Sequence, residues 1–222
     1  LAALAAGIAV PVHAANHDAP SVTAQAVAGS VHMLHGKGGN LAVSAGADGV
    51  FLVDDDYAAL TPAVDAQIAK LSDKPVKFVI NTHWHGDHTG GNSALGEGVD
   101  IVAHDNVYER LSTRQEIPAF NMVSEAYPVH ARPSITFPDS ITLRFNDEVL
   151  TLKHYPNGHT DGDSVMFFNK ANVIHTGDHM FYPMFPFVDI SSGSNVVSYA
   201  KNVEAVLQGI DGNTIVVQAT GH

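Results

Sequence analysis

The sequence contains no cysteine, and its 11 lysine and arginine residues face 23 aspartate and glutamate residues. The lack of cysteine excludes disulfide bonds, a cysteine nucleophile and any thiolate metal ligand. The formal net charge of −12 and the lack of a basic stripe argue against nucleic acid as a substrate or partner. The N-terminal apolar run is too short to span a membrane, so no stable membrane insertion is predicted.

The N-terminal segment has the composition of a targeting signal. Residues 1–10 are apolar, and the small residues Ala14 and Ala15 offer a cleavage position, a pattern typical of the end of a secretory signal peptide. A disordered alanine-rich terminus or an N-terminal helix is the alternative. We therefore expect residues 1–15 to be a signal-peptide remnant, residues 16–222 to form one domain, and the protein to be periplasmic or secreted.

Four side chains suited to binding a metal occur within six residues of each other. Residues 76–81, Val-Lys-Phe-Val-Ile-Asn, predict a buried strand, and a glycine-punctuated segment follows it with His83, His85, Asp87 and His88. Side chains two residues apart in an extended backbone point to the same side, so His83 and His85 can face one ion. Imidazole and carboxylate groups suit zinc. The alternative for any one of them is a solvated loop residue.

The His-x-His-x-Asp-His pattern after a strand resembles the signature of the metallo-β-lactamase superfamily. Three further positions match that family in order and approximate spacing: His159 in Asn-Gly-His-Thr, Asp178 in Thr-Gly-Asp, and His222 in Thr-Gly-His. The resemblance covers the chain from about residue 30 to its end. It predicts that residues 16–222 are a metallo-β-lactamase-like domain.

The resemblance implies a site for two zinc ions per chain. Its seven ligands are His83, His85 and His159 on one ion, Asp87, His88 and His222 on the other, and Asp178 as the bridge. Asp87 and Asp178 are also the predicted catalytic residues.

Some of these ligands have simpler explanations when they are taken singly. His159 follows a Pro-Asn-Gly turn, and Asp178 alone resembles a turn or cap residue, with three competitors for its role: Asp161, Asp163 and His179. The remaining histidines are predicted to lie outside the site, with His35 and His179 as the strongest exceptions.

The pattern of apolar residues predicts alternating strands and helices. A helix is expected to begin with Thr61 as its N-cap and Pro62 at the first helical position. Residues 16–28 are interpreted as a mobile lead-in, residues 35–40 as a hairpin turn, and residues 115–140 as a long ordered loop near the site or a plain surface loop. The resemblance implies that the hairpin turn can overhang the site. The resemblance implies an α/β (α+β) fold, a four-layer αββα sandwich. The family continues past its last histidine into a further helix, so the C-terminal helix is expected to be missing from this chain.

One proline-broken apolar stretch follows the last interior ligand. Residues 181–188, Phe-Tyr-Pro-Met-Phe-Pro-Phe-Val, fit neither a regular helix nor a strand. Core packing is the first interpretation of their aromatic side chains. The alternative, which their position just after Asp178 favours, is the apolar wall of a pocket for a small-molecule substrate.

The resemblance implies hydrolysis, with the two zinc ions supplying a hydroxide that attacks an ester, lactone, thioester or β-lactam carbonyl. Zinc β-lactamases that use a cysteine ligand do not fit a chain without cysteine. Two alternatives stay open: an iron-dependent oxidoreductase resembling the persulfide dioxygenases, and a metal-binding protein without activity. A flavodiiron protein is disfavoured because that type usually has glutamate where His85 stands.

Overall fold

A computed structural model describes residues 21–95 and 98–219. The predicted signal-peptide remnant, residues 1–15, and the predicted ligand His222 lie outside the described residues. Within the two described ranges, no helix combines the length and the hydrophobicity needed to span a bilayer.

The described residues form 14 strands and four α-helices. The strands are β1 Thr23–Ala28, β2 Val31–His35, β3 Asn40–Gly46, β4 Gly49–Val53, β5 Val76–Ile80, β6 Asp100–His104, β7 Gln115–Ile117, β8 Met122–Ser124, β9 Ile135–Phe137, β10 Ser140–Phe145, β11 Glu148–His154, β12 Ser164–Phe168, β13 Val173–His175 and β14 Ile215–Val217. The helices are α1 Thr61–Leu71, α2 Gly86–Thr89, α3 Asp105–Leu111 and α4 Val196–Gln208.

The strands build two large sheets and one small hairpin. The first sheet has the order β1-β2-β3-β4-β5-β6-β9, the second has the order β10-β11-β12-β13-β14, and β7 pairs only with β8. The pairs β4–β5, β5–β6, β6–β9 and β13–β14 are parallel. Parallel neighbours end at the same edge of a sheet, so the loops that follow β4, β5 and β6 lie side by side.

The main core lies between the two sheets. In β4, Phe51 and Val53 face the second sheet, whereas Val50 and Leu52 pack with α1 on the opposite face, because successive side chains of a strand point to opposite faces. The Phe51 ring stacks at 6.0 Å from the ring of Phe168 in β12. Burying a side chain of this size contributes about 1.5–3 kcal/mol.

Helices cover the outer faces of both sheets. Helix α1 buries Val64 and Ile68 against the first sheet, and α3 buries Val107 and Leu111 beside β6. Helix α4 packs Val206 on the outer face of the second sheet. The four layers confirm the predicted αββα sandwich.

Three expectations about local structure were wrong. The expected mobile lead-in contains a strand, because residues 23–28 form β1, an edge strand paired with β2 whose first four residues are exposed. The segment 115–140 is not one loop, because it contains the β7–β8 hairpin and β9, which joins the first sheet beside β6. Thr61 is the first residue of α1 and not its N-cap, since a 3₁₀ turn at Ala58–Leu60 runs directly into the helix.

Away from the metal motif, His154 is half-buried against the ring of a second histidine, His104. The rings of His104 and His154 lie 3.5 Å apart at 14°, and the Nδ1 of His154 donates to the backbone oxygen of Asp163 at 2.8 Å. Burial, together with the neighbouring His104, lowers the pKa of His154 to about 4, against an ordinary value of about 6.5. Between these two values the unfolded chain binds more protons than the folded chain.

We therefore expect the free energy of unfolding to fall as the pH drops from about 6.5 towards about 4, and His154→Gln to remove part of that fall. Urea denaturation of metal-free protein at pH 7.5 and pH 5 measures the difference. His130→Gln, at an exposed position, is the control for the loss of one histidine. Parallel pH profiles for the wild type and His154→Gln would contradict this assignment.

Candidate metal centre

The loop after β5 holds the histidine motif at the edge where the two sheets meet. The backbone N–H of Thr82 donates to Asp54 Oδ1 at 2.7 Å, and its carbonyl accepts from the N–H of Ser164 at 2.9 Å. His85 has an extended backbone, and its carbonyl accepts from the backbone N–H groups of His88 and Thr89. These two hydrogen bonds form the first turn of α2. The motif is therefore attached to both sheets before it turns.

Three predicted ligands converge on one point. His83, His85 and His159 are buried, and one ring nitrogen of each lies within 4.8 Å of the others. His159 Nε2 and His85 Nδ1 are 2.9 Å apart, close enough for one zinc ion to bind both through bonds of about 2.0–2.1 Å.

A second group of possible ligands shares one residue with the first. His83, His88 and Asp178 also place one ligand atom each within 4.8 Å of one another. Asp178 lies between the groups, because its Oδ1 is 3.5 Å from His88 Nε2 and its Oδ2 is 3.3 Å from His159 Nε2. Asp87 Oδ2 lies 3.5 Å from His88 Nε2. Six of the seven predicted ligands are thus brought together, and the seventh, His222, lies outside the described residues.

Hydrogen bonds fix the ring orientation of all four histidines. The outward nitrogen of each donates to an oxygen: His83 to Thr82 Oγ1 at 2.9 Å, His85 to Asp189 Oδ2 at 3.2 Å, His88 to Asp54 Oδ2 at 2.8 Å and His159 to Phe187 O at 2.8 Å. In the neutral imidazole, the other nitrogen is then a bare acceptor that faces the centre. His83 Nε2 and His88 Nε2 are buried there with no hydrogen-bond partner, a costly arrangement that a cation would relieve.

The charges around the centre also favour a cation. Burial and the neighbouring His88 lower the pKa of His83 well below its usual value, and burial lowers the pKa of His159, so both favour the neutral form that binds metals. Burial would also lower the pKa of His88, but Asp87, Asp178 and Asp54 outweigh it and raise that pKa. Three carboxylates around one imidazole attract positive charge to this point.

Asp54 is a supporting residue that the sequence analysis missed. One carboxylate accepts from His88 Nδ1, from Thr82 Oγ1 at 2.9 Å and from the backbone N–H of Thr82. It therefore holds both His88 and, through Thr82, His83. The sequence signal that could have identified Asp54 is its position directly after β4. Because β4 and β5 are parallel, with Val53 opposite Ile80, the residue after β4 lies beside the residues that follow β5.

Asp189 is a second supporting residue, and it had no local signal. It is buried and 104 residues from its partner His85. Its other oxygen accepts from the backbone N–H and the hydroxyl of Ser191, and its own N–H donates to the backbone oxygen of His159 at 2.9 Å. Carboxylates in this position orient metal-binding histidines and increase their basicity.

The competing candidates have structural roles. Asp163 accepts from the backbone N–H of His159 at 2.6 Å and from the hydroxyl of Thr160 at 2.6 Å, and these hydrogen bonds stabilise the loop that carries His159. Burial raises the pKa of Asp163 to about 6. Asp161 forms an ion pair with Arg110 at 2.8 Å. The two predicted exceptions join neither group of ligand atoms: His35 contacts Asn40 and Gln25, and His179 stacks on Tyr199.

The predicted hairpin turn lies beside the centre. Asp56 accepts from the backbone N–H groups of Lys37 and Gly38 at 2.8 and 3.0 Å. A Cβ on Gly38 would lie 2.6 Å from the Cβ of Asp87, so only glycine allows this close approach.

An apolar cavity of about 350 Å³ opens beside the ligands. Residues of the stretch 181–188 form one wall and the β7–β8 segment forms another, with these apolar side chains: Ile117, Phe120, Met122, Phe181, Met184 and Phe187. Phe185 of the same stretch is 95 % exposed. The stretch therefore forms a pocket wall, the alternative interpretation, and its residue Phe187 also packs against a buried apolar cluster.

Comparisons with known proteins agree with the fold. An uncharacterised protein from Aquifex aeolicus (strain VF5) is 27% identical over 161 residues, which are 71% of this chain and 75% of that protein. A hydroxyacylglutathione hydrolase from Erythrobacter litoralis (strain HTCC2594) is 26% identical over 141 residues, 59% of this chain and 47% of that enzyme. The solved structure of a metallo-β-lactamase from Pontibacter korlensis superposes with a TM-score of 0.72 at 18% identity and covers 91% of this chain and 92% of its own.

The family comparison decides the assignment. Residues 41–217 match the model of the metallo-beta-lactamase superfamily, and this range includes every described ligand candidate as well as Asp54 and Asp189. The fold, the grouped histidines and this match lead to one conclusion: the chain belongs to the metallo-β-lactamase superfamily.

Proposed function

We propose that this protein is a zinc-dependent hydrolase that holds two zinc ions and cleaves an ester, lactone, thioester or β-lactam bond. One observation carries the proposal. Four buried imidazoles, each with its outward N–H engaged, direct bare nitrogens towards two overlapping points, and the carboxylate of Asp178 lies between these points. A relative named hydroxyacylglutathione hydrolase supports hydrolysis as the reaction class.

The donor set supports zinc. All the donors are imidazole nitrogen or carboxylate oxygen, which zinc accepts readily, and the sequence has no thiolate to offer. Bound zinc supplies a Lewis acid for a carbonyl and a nucleophile from water at neutral pH, since it lowers the pKa of water from about 15.7 to about 7.

The residues of the chain would divide the work as follows. His83, His85 and His159 would hold one ion and His88 and Asp87 the other, with Asp178 between them and His222 as a further ligand of the second ion. Asp54 and Asp189 fix the imidazole rings. In the net reaction one water is consumed: the acyl carbon gains an oxygen, its bond to the leaving group breaks, and the leaving group gains a proton.

Metal content and activity test the proposal directly. We expect close to two zinc ions per purified chain by elemental analysis, loss of hydrolysis after chelation, and recovery when zinc is returned. Full hydrolysis by metal-free protein would contradict a metal-dependent reaction. Iron in place of zinc, with oxygen consumption on persulfide substrates, would favour the oxidoreductase alternative.

The role of Asp178 is tested by Asp178→Asn, which keeps the size of the side chain but removes a negative charge between two cations. We expect kcat to fall by at least about 100-fold, since even indirect partners of a metal are worth about 10–100-fold, while circular dichroism stays unchanged. Asp161→Asn is the matched control, because Asp161 pairs with Arg110 outside the centre. Normal turnover by Asp178→Asn would overturn the bridging role.

The role of Asp189 is tested by metal affinity. Asp189→Asn replaces the carboxylate that accepts from His85 with a neutral amide, so we expect zinc affinity to fall about 10–100-fold. Competition with a chromophoric chelator measures this. Ser191→Ala, which removes a hydrogen bond to Asp189 but keeps its charge, should have a smaller effect. Equal affinity in the wild type and Asp189→Asn would show that His85 does not need this partner.

A further inference from the structure

We propose that the substrate of this site presents an uncharged apolar chain to the cavity beside the metal ligands, and that substrates with a carboxylate on that chain are disfavoured. This inference rests on the proposed hydrolase function and narrows its substrate class. Three observations on the cavity carry it: the chemistry of its walls, the position of the cations of the chain, and the continuation of the apolar surface.

The walls of the cavity divide into a polar floor and an apolar remainder. The floor consists of ligand candidates, including His85, Asp87, His159 and Asp178. Tyr57 is the one other side chain with a polar group among the described lining residues. A group bound above the floor therefore meets carbon and sulfur atoms almost exclusively.

Large apolar side chains remain in contact with solvent around the cavity. Phe120, Met122 and Met184 are 55, 49 and 54 % exposed, although all three line the cavity. Grouped exposure of this kind in a soluble domain marks a binding surface. Here the exposed apolar side chains line the same cavity as the candidate metal ligands. We therefore infer that the substrate itself binds to this apolar surface.

No cation of the chain is available to a charged substrate in this cavity. All 11 lysine and arginine residues of the sequence lie within the described ranges, and none of them lines the cavity. Arg110 pairs with Asp161. Lys37, on the hairpin turn beside Asp87, is exposed to solvent. A carboxylate on the substrate chain would lose water without gaining a partner, which is costly.

The apolar surface continues beyond the first cavity. Ile117 and Phe187 also border a neighbouring cavity of about 510 Å³, together with Pro118, Val188 and Ile190. The ring of Phe187, which lines both cavities, lies 4.7 Å from the ring of Phe120, which lines the first. A chain longer than the first cavity can therefore extend along apolar surface.

Two matched esters test the inference with the zinc-loaded protein. p-Nitrophenyl hexanoate and the p-nitrophenyl monoester of adipic acid have the same chain length and differ in the terminal group, methyl against carboxylate. We expect kcat/KM to be at least about tenfold higher for the hexanoate. From acetate to hexanoate, each added methylene should raise kcat/KM roughly fourfold. Equal rates for the two six-carbon esters would overturn the inference.

A charge placed on the wall should reverse this preference. Met122→Lys should lower kcat/KM for the hexanoate ester and raise kcat/KM for the adipate monoester. Met122→Gln, which adds polarity without charge, should lower kcat/KM for the hexanoate ester and leave that for the adipate monoester unchanged. Val123→Lys is the matched control, because Val123 is exposed, adjacent to Met122 and not part of the cavity lining. The apolar surface could instead bind a second copy of this chain, and gel filtration of the wild type and Met122→Lys tests that alternative. A wild-type dimer that Met122→Lys dissociates would overturn the inference.

A binding measurement separates this inference from the proposed function. Calorimetric titration of the zinc-loaded protein with hexanoate and with adipate compares the two chains without any reaction. Tighter binding of hexanoate, lost in Met122→Lys, without hydrolysis of either ester would support the apolar cavity and contradict the hydrolase. Hydrolysis with equal binding of both acids would support the hydrolase and contradict the apolar cavity.

Discussion

The parallel pairing of β4 with β5 is the constraint on which the centre depends. This pairing brings the end of β4, with Asp54, next to the end of β5, where the histidine motif begins. The second sheet faces the first across the main core, and its loops bring His159 and Asp178 to the same edge. Because β4 is buried on both faces, a change in its register would disturb both cores together with the centre. The positions of the candidate metal ligands therefore depend on the packing of the two sheets.

This placement concentrates charge in a region with little solvent. Asp54 and Asp178 are buried, Asp87 is close to them, and four imidazoles lie among them. Without a cation, the bare nitrogens of His159 and His85 face each other at 2.9 Å, an unfavourable contact unless a proton or a metal lies between them. A ligand that binds only the folded state adds about 2.7 kcal/mol of stability at 100 times its Kd. A metal ion that bound at this centre only in the folded state would therefore stabilise the fold.

The sequence was sufficient for features that have a local pattern. The strand before the histidine motif and the spacing of His83 and His85 could be predicted, because apolar runs and close ligand spacing are visible within a few residues. The four-layer fold could be predicted only through the resemblance to the metallo-β-lactamase superfamily. Asp189 could not be predicted, since its partner His85 is 104 residues away and a single aspartate in a loop has many ordinary roles. β1 was missed because its first four residues are exposed, so it lacks an apolar pattern. β9 was missed because a three-residue strand inside a proline-containing segment depends on its pairing with β6.

The core strands and the irregular segments contribute to different parts of the candidate centre and its cavity. The ligands His83, His159 and Asp178 follow or precede strands whose side chains fill the main core. The cavity walls come instead from the β7–β8 hairpin and residues 181–188, and neither segment contributes to that core. A substitution such as one at Met122, which is half-exposed, removes little buried area, so its cost in stability is small. The same substitution changes the polarity met by a substrate directly beside the ligands. Under the proposed function, specificity would therefore be set by side chains such as Met122 that the main core does not contain, whereas the backbone of Phe187 still supports His159.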